Sequence, residues 1–361
     1  MERKINFYAG PATLPVPVLE KLRDELVDYH GEGLSMIETS HRSKMYDTVH
    51  METMALLAEL MGIPSNYKVI FLGGGATLQF TMVPMNLMGK DSSCDITLSG
   101  SWAKKAYDDA KKIGSVNVLF DGKAGGYTTL PDPSSVKPTP GAAYLHVTSN
   151  ETIGGVQWKD FPKTGDIPLV ADMSSDILSR PVDVSSFGLI YAGAQKNIGP
   201  AGITLVIIRE DLLERSSDDL TAYMSYKIHA AKDSMYNTPP VFPIYAVHHV
   251  LRLLKDTGGI PAIQEKNRKK ADALYNAIDS SGGFYRCPVE KSVRSDMNVV
   301  FRLPDEDLET TFVSEAAKKG MIGLKGHRSV GGCRASIYNA MPVEGALVLA
   351  DFMKEFARTK G

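Results

Sequence analysis

The sequence predicts an α/β fold: a large domain on a mainly parallel, seven-stranded sheet, followed by a small α+β C-terminal domain. Three observations predict it. Between residues 68 and 209, seven short apolar runs alternate with helix-like segments, the pattern of a chain that winds a parallel sheet with helices on its faces. After Tyr245 the pattern changes to long helical stretches interrupted by only two strand-like runs. The 361 residues suffice for one large core and a smaller second one. The large domain is expected over 16–261 and the small one over 262–361, joined by the N-terminal segment 1–15.

Met45, Val49, Glu52, Leu56 and Leu60 mark a first helix with a mixed face, ending at Gly62-Ile63-Pro64. The predicted strands are 68–72, 95–98, 117–120, 143–148, 169–171, 189–192 and 203–208. Between the first two, 76–88 reads as a helix opened by glycines. A long helix over 244–255 stops at Gly258-Gly259-Ile260-Pro261, and a charged helix follows from about 262 to 279. The strand-like runs 298–303 and 334–338 flank a helical stretch, 306–319, and a helix over 343–357 closes the chain. No internal repeat or low-complexity linker interrupts this order.

Hydrophobic residues at 43% and charged residues at 23% are ordinary for a folded globular protein. A formal net charge of -2 carries no basic excess, so neither nucleic acid nor an anionic membrane is expected as a partner. Any anionic ligand then needs a local site. The three cysteines, Cys94, Cys287 and Cys333, are widely spaced and form neither a metal motif nor a disulfide framework, as in a reducing compartment. The first seven residues contain no apolar run like a signal peptide, and no stretch is long and apolar enough to span a bilayer, so a cytoplasmic protein is expected.

The chemistry concentrates at strand ends. Leu189-Ile190-Tyr191-Ala192-Gly193-Ala194-Gln195-Lys196-Asn197 runs a strand into a lysine whose small neighbours leave room for a flat ring. Asp172 closes the strand Pro168-Leu169-Val170-Ala171-Asp172 and can hold a ring nitrogen protonated. The pair reads as a pyridoxal phosphate site. Taken singly, Lys196 also reads as a solvated lysine and Asp172 as a helix cap. Gly73-Gly74-Gly75-Ala76-Thr77 follows a strand and opens a helix; it offers amide donors to one compact phosphate, or it is simply a tight turn. Trp102 follows a strand and suits ring stacking or the core, and Thr152 follows another and suits a hydrogen bond to the ring or a turn. His41-Arg42, Gly326-His327-Arg328-Ser329 and Arg334 place cations in low-charge surroundings, fit for carboxylate and phosphate. Cys333 keeps a rival open: a thiol in a glycine-rich run, activated by Arg328 and Arg334, is what a pyridoxal phosphate sulfur lyase uses.

Together, Phe7-Tyr8-Ala9-Gly10-Pro11-Ala12, Ser40-His41-Arg42-Ser43, Ala171-Asp172-Met173-Ser174-Ser175-Asp176, Ala192-Gly193-Ala194-Gln195-Lys196-Asn197, Tyr236-Asn237-Thr238-Pro239-Pro240 and Gly326-His327-Arg328-Ser329-Val330-Gly331-Gly332-Cys333-Arg334 resemble the signature stretches of the phosphoserine aminotransferase family. That family is a branch of the fold-type I pyridoxal phosphate enzymes. The resemblance covers nearly the whole chain. It implies a homodimer with shared active sites that interconverts 3-phosphohydroxypyruvate and O-phosphoserine, with glutamate and 2-oxoglutarate as the amino couple, in serine biosynthesis. It further implies that Lys196 carries the cofactor covalently, Asp172 pairs with the ring nitrogen, Trp102 stacks on the ring and Thr152 meets its phenolic oxygen. Gln195, the backbone at Ala76 and Thr77, and Asn237 and Thr238 of the partner subunit would hold the cofactor phosphate. Arg334 would take the substrate's α-carboxylate, and His41, Arg42, His327 and Arg328 the distal anion. Some members carry arginine where Thr77 stands, so contact there rests on backbone and hydroxyl donors.

Overall fold

The computed structural model describes residues 3–89 and 92–361; Met1 and Glu2, the start of the N-terminal segment, lie outside the described residues, as do Lys90 and Asp91. The chain opens with β1 (Ile5–Asn6), α1 (Val16–Asp24) and α2 (Lys44–Met61). It then alternates: β2 (Tyr67–Leu72), α3 (Gly75–Leu87), β3 (Ser93–Leu98), α4 (Ser101–Ala110) and β4 (Ser115–Asp121). Next come β5 (Leu145–Thr148), β6 (Leu169–Asp172), β7 (Leu189–Gly193) and β8 (Thr204–Arg209), then the short helices α5 (Glu210–Leu213) and α6 (Tyr226–Ala230). The rest is α7 (Val241–Asp256), α8 (Gly259–Asp279), β9 (Asn298–Phe301), α9 (Glu306–Lys318), β10 (Met321–Ile322), β11 (Cys333–Ser336) and α10 (Val343–Lys360).

All seven predicted strands fall in one seven-stranded sheet, ordered β2-β8-β7-β6-β5-β3-β4. The pairs β3–β4, β3–β5, β5–β6 and β6–β7 are parallel, and β8 runs antiparallel to both β7 and β2. The central strands β5, β6 and β7 are buried at every position, as their near-continuous apolar sequences require of a sheet covered on both faces. Consecutive residues face opposite ways: Ala171 and Ile190 pack with α2 and α7 through Leu57 and Leu251, while Val170 and Leu189 pack with α3 and α4 through Phe80 and Ala106. Ser43 caps α2 by accepting from the Tyr46 amide, and Gly62 ends that helix in the left-handed region at φ 61°.

A third apolar cluster joins the C-terminal half of α8 to β9, α9, β11 and α10 through Leu274, Phe301, Phe312, Ala335 and Phe356. Antiparallel β9–β11 forms its small sheet. The N-terminal segment is tied to this cluster by the parallel pair β1–β10 and by buried Phe7.

Some details depart from the sequence reading. The charged helix begins at Gly259 rather than about 262, because Pro261 sits in its first turn, where a missing amide proton costs no intrahelical bond. The strand expected over 334–338 is Cys333–Ser336; beyond it, the carbonyls of Ile337 and Tyr338 accept from the buried Nζ of Lys270 at 2.8 and 2.6 Å. Cys333 therefore lies in a strand, not in the glycine-rich loop.

Candidate active site

The parallel strands β5, β6 and β7 end side by side, with Thr148 in register with Asp172 and Asp172 with Tyr191. Ligands of such sheets bind beyond the strands' C-terminal ends. There the chain turns after β7 and presents Lys196. Its Nζ donates to Thr152 Oγ1 at 2.7 Å and lies 5.2 Å from the centroid of the Trp102 ring. Arg334 on β11 donates from Nη1 to the Thr152 carbonyl at 3.2 Å. Four sequence-predicted residues from four separate stretches thus meet in one place.

Asp172 stands at the end of β6. Its Oδ1 accepts from the amide of Ser174 at 2.9 Å and from its hydroxyl at 2.6 Å, while that hydroxyl oxygen accepts from Gly193 N at 3.0 Å. Oδ2 accepts no hydrogen bond from the described residues. Burial pushes the Asp172 carboxyl up, opposed by Lys196 and the bonds from Ser174. Burial pushes the Lys196 amine down to about 8, with Asp172 and Glu151 acting the other way.

The turn Gly73-Gly74-Gly75 supplies the first amides of α3. Gly74 and Gly75 adopt φ of 83° and 65°, a region that glycine enters without strain, and Ala76 and Thr77 lie in the first turn, where helix amides lack intrahelical acceptors. Gln195 lies against Gly193, where a Cβ would come within 2.7 Å of its Oε1. The opposite side is cationic. His327 lines a cavity of about 270 Å³ with Arg334, Tyr127 and Arg302, and it is held below the usual histidine range by burial first, then by Arg334, Arg328 and Lys105. A histidine depressed by neighbouring cations marks a place where an anion would be welcome.

These residues fit pyridoxal phosphate. The groups the cofactor needs are present: an amine beside an indole, a buried carboxylate with one oxygen free of hydrogen bonds among the described residues, and helix amides without intrahelical acceptors. Arg334 Nε and Trp102 Nε1 are buried without a hydrogen-bond partner among the described residues.

His41, Arg42, Asn237 and Thr238 stand apart. His41 and Arg42 precede α2 and share a recess with Lys44, Asp47 and Met235, while Asn237 and Thr238 are exposed in the segment before α7. Among the described residues, no hydrogen bond or ion pair joins any of the four to Lys196. Arg328 is exposed in the turn after His327. Cys333 is 2% exposed, and burial raises its thiol far from the thiolate range; Arg328 and Arg334 do not offset it, so the nucleophile of the sulfur-lyase rival is absent.

Two residues escaped the sequence reading. Glu151 is fully buried beside Thr152, and Lys105 places its Nζ 4.3 Å from the Trp102 ring centroid. The signal for Lys105 was its spacing of three from Trp102 on one helix; Glu151 looked like an ordinary turn residue.

Fold and site together define a pyridoxal phosphate-dependent aminotransferase, and the chain belongs to the class-V aminotransferase family, whose model matches residues 5–349. Within it, the chain is similar along its length to phosphoserine aminotransferases. The phosphoserine aminotransferase of Laribacter hongkongensis is 55% identical over 356 residues, covering 99% of each chain. The structure of the phosphoserine aminotransferase from Bacillus circulans subsp. alkalophilus superposes with a TM-score of 0.98 at 51% identity, covering 100% of both chains. The PLP-bound phosphoserine aminotransferase from Trichomonas vaginalis does so with a TM-score of 0.90 at 37% identity, covering 98% of this chain and 100% of that one.

Proposed function

We propose that the chain catalyses the reversible transfer of an amino group from glutamate to 3-phosphohydroxypyruvate, giving O-phosphoserine and 2-oxoglutarate in serine biosynthesis. The observation that carries this reading is full-length similarity to phosphoserine aminotransferases, on a site where Lys196, Thr152, Trp102, Asp172 and Arg334 converge. Bound pyridoxal phosphate supplies an electron-accepting ring that carries the amino group between the two substrates.

Lys196 would anchor the cofactor, and its free amine would take the proton from the substrate's α-carbon. An amine near pH 8 is well matched to that task, since proton transfer is most effective when the base titrates near the working pH. Asp172 would offer Oδ2 to the ring nitrogen, whose positive charge would offset the burial that raises the carboxyl. Trp102 would cover the ring and exclude water, and Thr152 would hold the phenolic oxygen with the hydroxyl that here accepts from Lys196. The amides of Ala76 and Thr77 and the side chain of Gln195 would hold the phosphate, completed by Asn237 and Thr238 of the partner subunit. Arg334 fixes the α-carboxylate common to both substrates. The distal phosphate or carboxylate is met by His327 and Arg328 with His41 and Arg42.

The reading includes a homodimer with shared sites. Its support is that His41 and Arg42 share a recess with Met235, two residues before Asn237 in sequence, and that among the described residues no hydrogen bond or ion pair joins any of these to Lys196 of the same chain, as expected if Arg42, Asn237 and Thr238 serve the partner's centre. The division into units over 16–261 and 262–361 belongs to the same reading, supported by separate apolar clusters on the large sheet and around β9–β11. So does a cytoplasmic location; among the described residues no helix is long and apolar enough to cross a membrane.

The test is a steady-state assay with 2-oxoglutarate as acceptor and either O-phosphoserine or serine as donor. The distal cations should favour O-phosphoserine by about tenfold to a thousandfold in kcat/KM, as one or two charge-assisted contacts would give. Equal use of both donors would contradict the assignment.

A further inference from the structure

We propose that Glu151 is a positioning residue, which fixes the indole of Trp102 beside Lys196 by capping the helix that carries it. The inference rests on the functional reading above. Trp102 is the second residue of α4, and the N-cap of that helix is Gly100, which has no side chain to cap with. The acceptor comes instead from a distant turn. Glu151 Oε2 accepts from the amide of Trp102 at 3.1 Å, and Oε1 accepts from the amide of Ala103 at 2.9 Å. First-turn amides have no intrahelical acceptors, and the helix dipole favours a negative charge beside them. The bond to the amide of Trp102 itself fixes the backbone from which the indole projects toward Lys196 Nζ.

Gly100 supplies an independent observation. Its φ of 171° is extended backbone open to any residue, so conformation does not demand glycine there. Space does: a Cβ at position 100 would lie 2.4 Å from Glu151 Cδ and 2.6 Å from Oε2. The absent side chain is what admits the carboxylate.

A serine at position 100 would cap the helix without burying a carboxylate, the usual and less costly arrangement. Here burial pushes Glu151 up to about 7, opposed by the two amides and by Lys196. What the buried arrangement adds is rigidity at the site. Glu151 holds Trp102 while its neighbour Thr152 holds Lys196, so one turn after β5 sets the spacing between the two.

The test compares holoenzymes by near-visible circular dichroism, which reads the asymmetry of the ring's surroundings, and by the rate of cofactor loss into buffer. Glu151→Gln keeps one acceptor oxygen but turns an NH2 against an amide. It should weaken the dichroic band and speed cofactor loss by about tenfold, the scale of a lost cap. In a Trp102→Phe background the same change should add less than about twofold, because the effect passes through the indole. Gly100→Ala should reproduce the loss in the parent and add nothing in Glu151→Ala, which keeps the question answerable if Glu151→Gln folds poorly. An unchanged band and loss rate, a fall in thermal stability alone, or effects that multiply with Trp102→Phe would each overturn the inference while the parent still transaminates. A parent that shows no cofactor band would overturn the functional reading and this inference with it.

Discussion

Arg334 and Thr152 are joined across the site: the arginine Nη1 donates to the threonine carbonyl at 3.2 Å, while the threonine hydroxyl accepts from Lys196. One residue therefore spaces the Arg334 guanidinium, proposed to take the α-carboxylate, from the Lys196 amine, proposed to move the proton. Arg334→Ala should weaken glutamate and O-phosphoserine alike, because both present an α-carboxylate. Losing a charge-assisted bidentate contact costs about 1.5–3 kcal/mol, or one to two decades in kcat/KM. A variant that spared glutamate while losing O-phosphoserine would show that Arg334 binds the distal anion instead.

Cys333→Ala should keep turnover within about threefold of the parent, because the thiol is buried on β11, held protonated, and takes no part in the chemistry. The steady-state rate measures it. A loss of a hundredfold or more in a variant that folds normally would revive the thiol as a nucleophile.

Lys270 predicts a pH dependence of stability. The buried amine is pushed down to about 7 by desolvation and then by Lys266, whereas an unfolded lysine titrates near 10.4. Between those values the unfolded chain binds a proton that the folded chain does not, so stability rises with pH from about 7 to 10, by at most about 1.4 kcal/mol per unit; below 7 both states are protonated and this contribution is flat. Denaturant unfolding at fixed protein concentration, at pH 7, 8 and 9, should show that rise in the parent and a shallower one in Lys270→Met. Parallel curves would mean that Lys270 stays charged in the fold.

The shared site predicts complementation. Lys196→Ala and Arg42→Ala chains, each poorly active alone, should recover substantial activity when unfolded and refolded together, since a mixed dimer has one centre with both lesions and one with neither. If Arg42 served its own chain, every centre would keep one lesion. No recovery in heterodimers verified by differential tags would therefore overturn the shared arrangement.

Much of this was legible in the sequence for physical reasons. The seven sheet strands were readable because each is a short apolar run bounded by polar turns, and Lys196 and Asp172 because they end two such runs among small residues. The antiparallel direction of β8 was not, since local periodicity is the same whichever way a strand pairs. The start of α8 was missed because proline reads as a stop until its place in the first turn is known. Glu151 was missed because its partners, Trp102 and Ala103, lie 49 and 48 positions away, and a buried cap drawn from that distance leaves no local spacing to read. Cys333 stayed open as a rival nucleophile because flanking arginines are visible in sequence and burial is not.

The central claim, that this site carries an amino group between glutamate and 3-phosphohydroxypyruvate through Lys196, is tested most directly by the near-visible spectrum of the purified holoenzyme. Adding glutamate alone should deplete the band of the lysine-bound cofactor, and adding 3-phosphohydroxypyruvate should then restore it, while Lys196→Ala, prepared with the cofactor, should complete neither half at a rate within a thousandfold of the parent. A parent spectrum that does not respond to glutamate, or that glutamate bleaches and 3-phosphohydroxypyruvate fails to restore, would contradict the account.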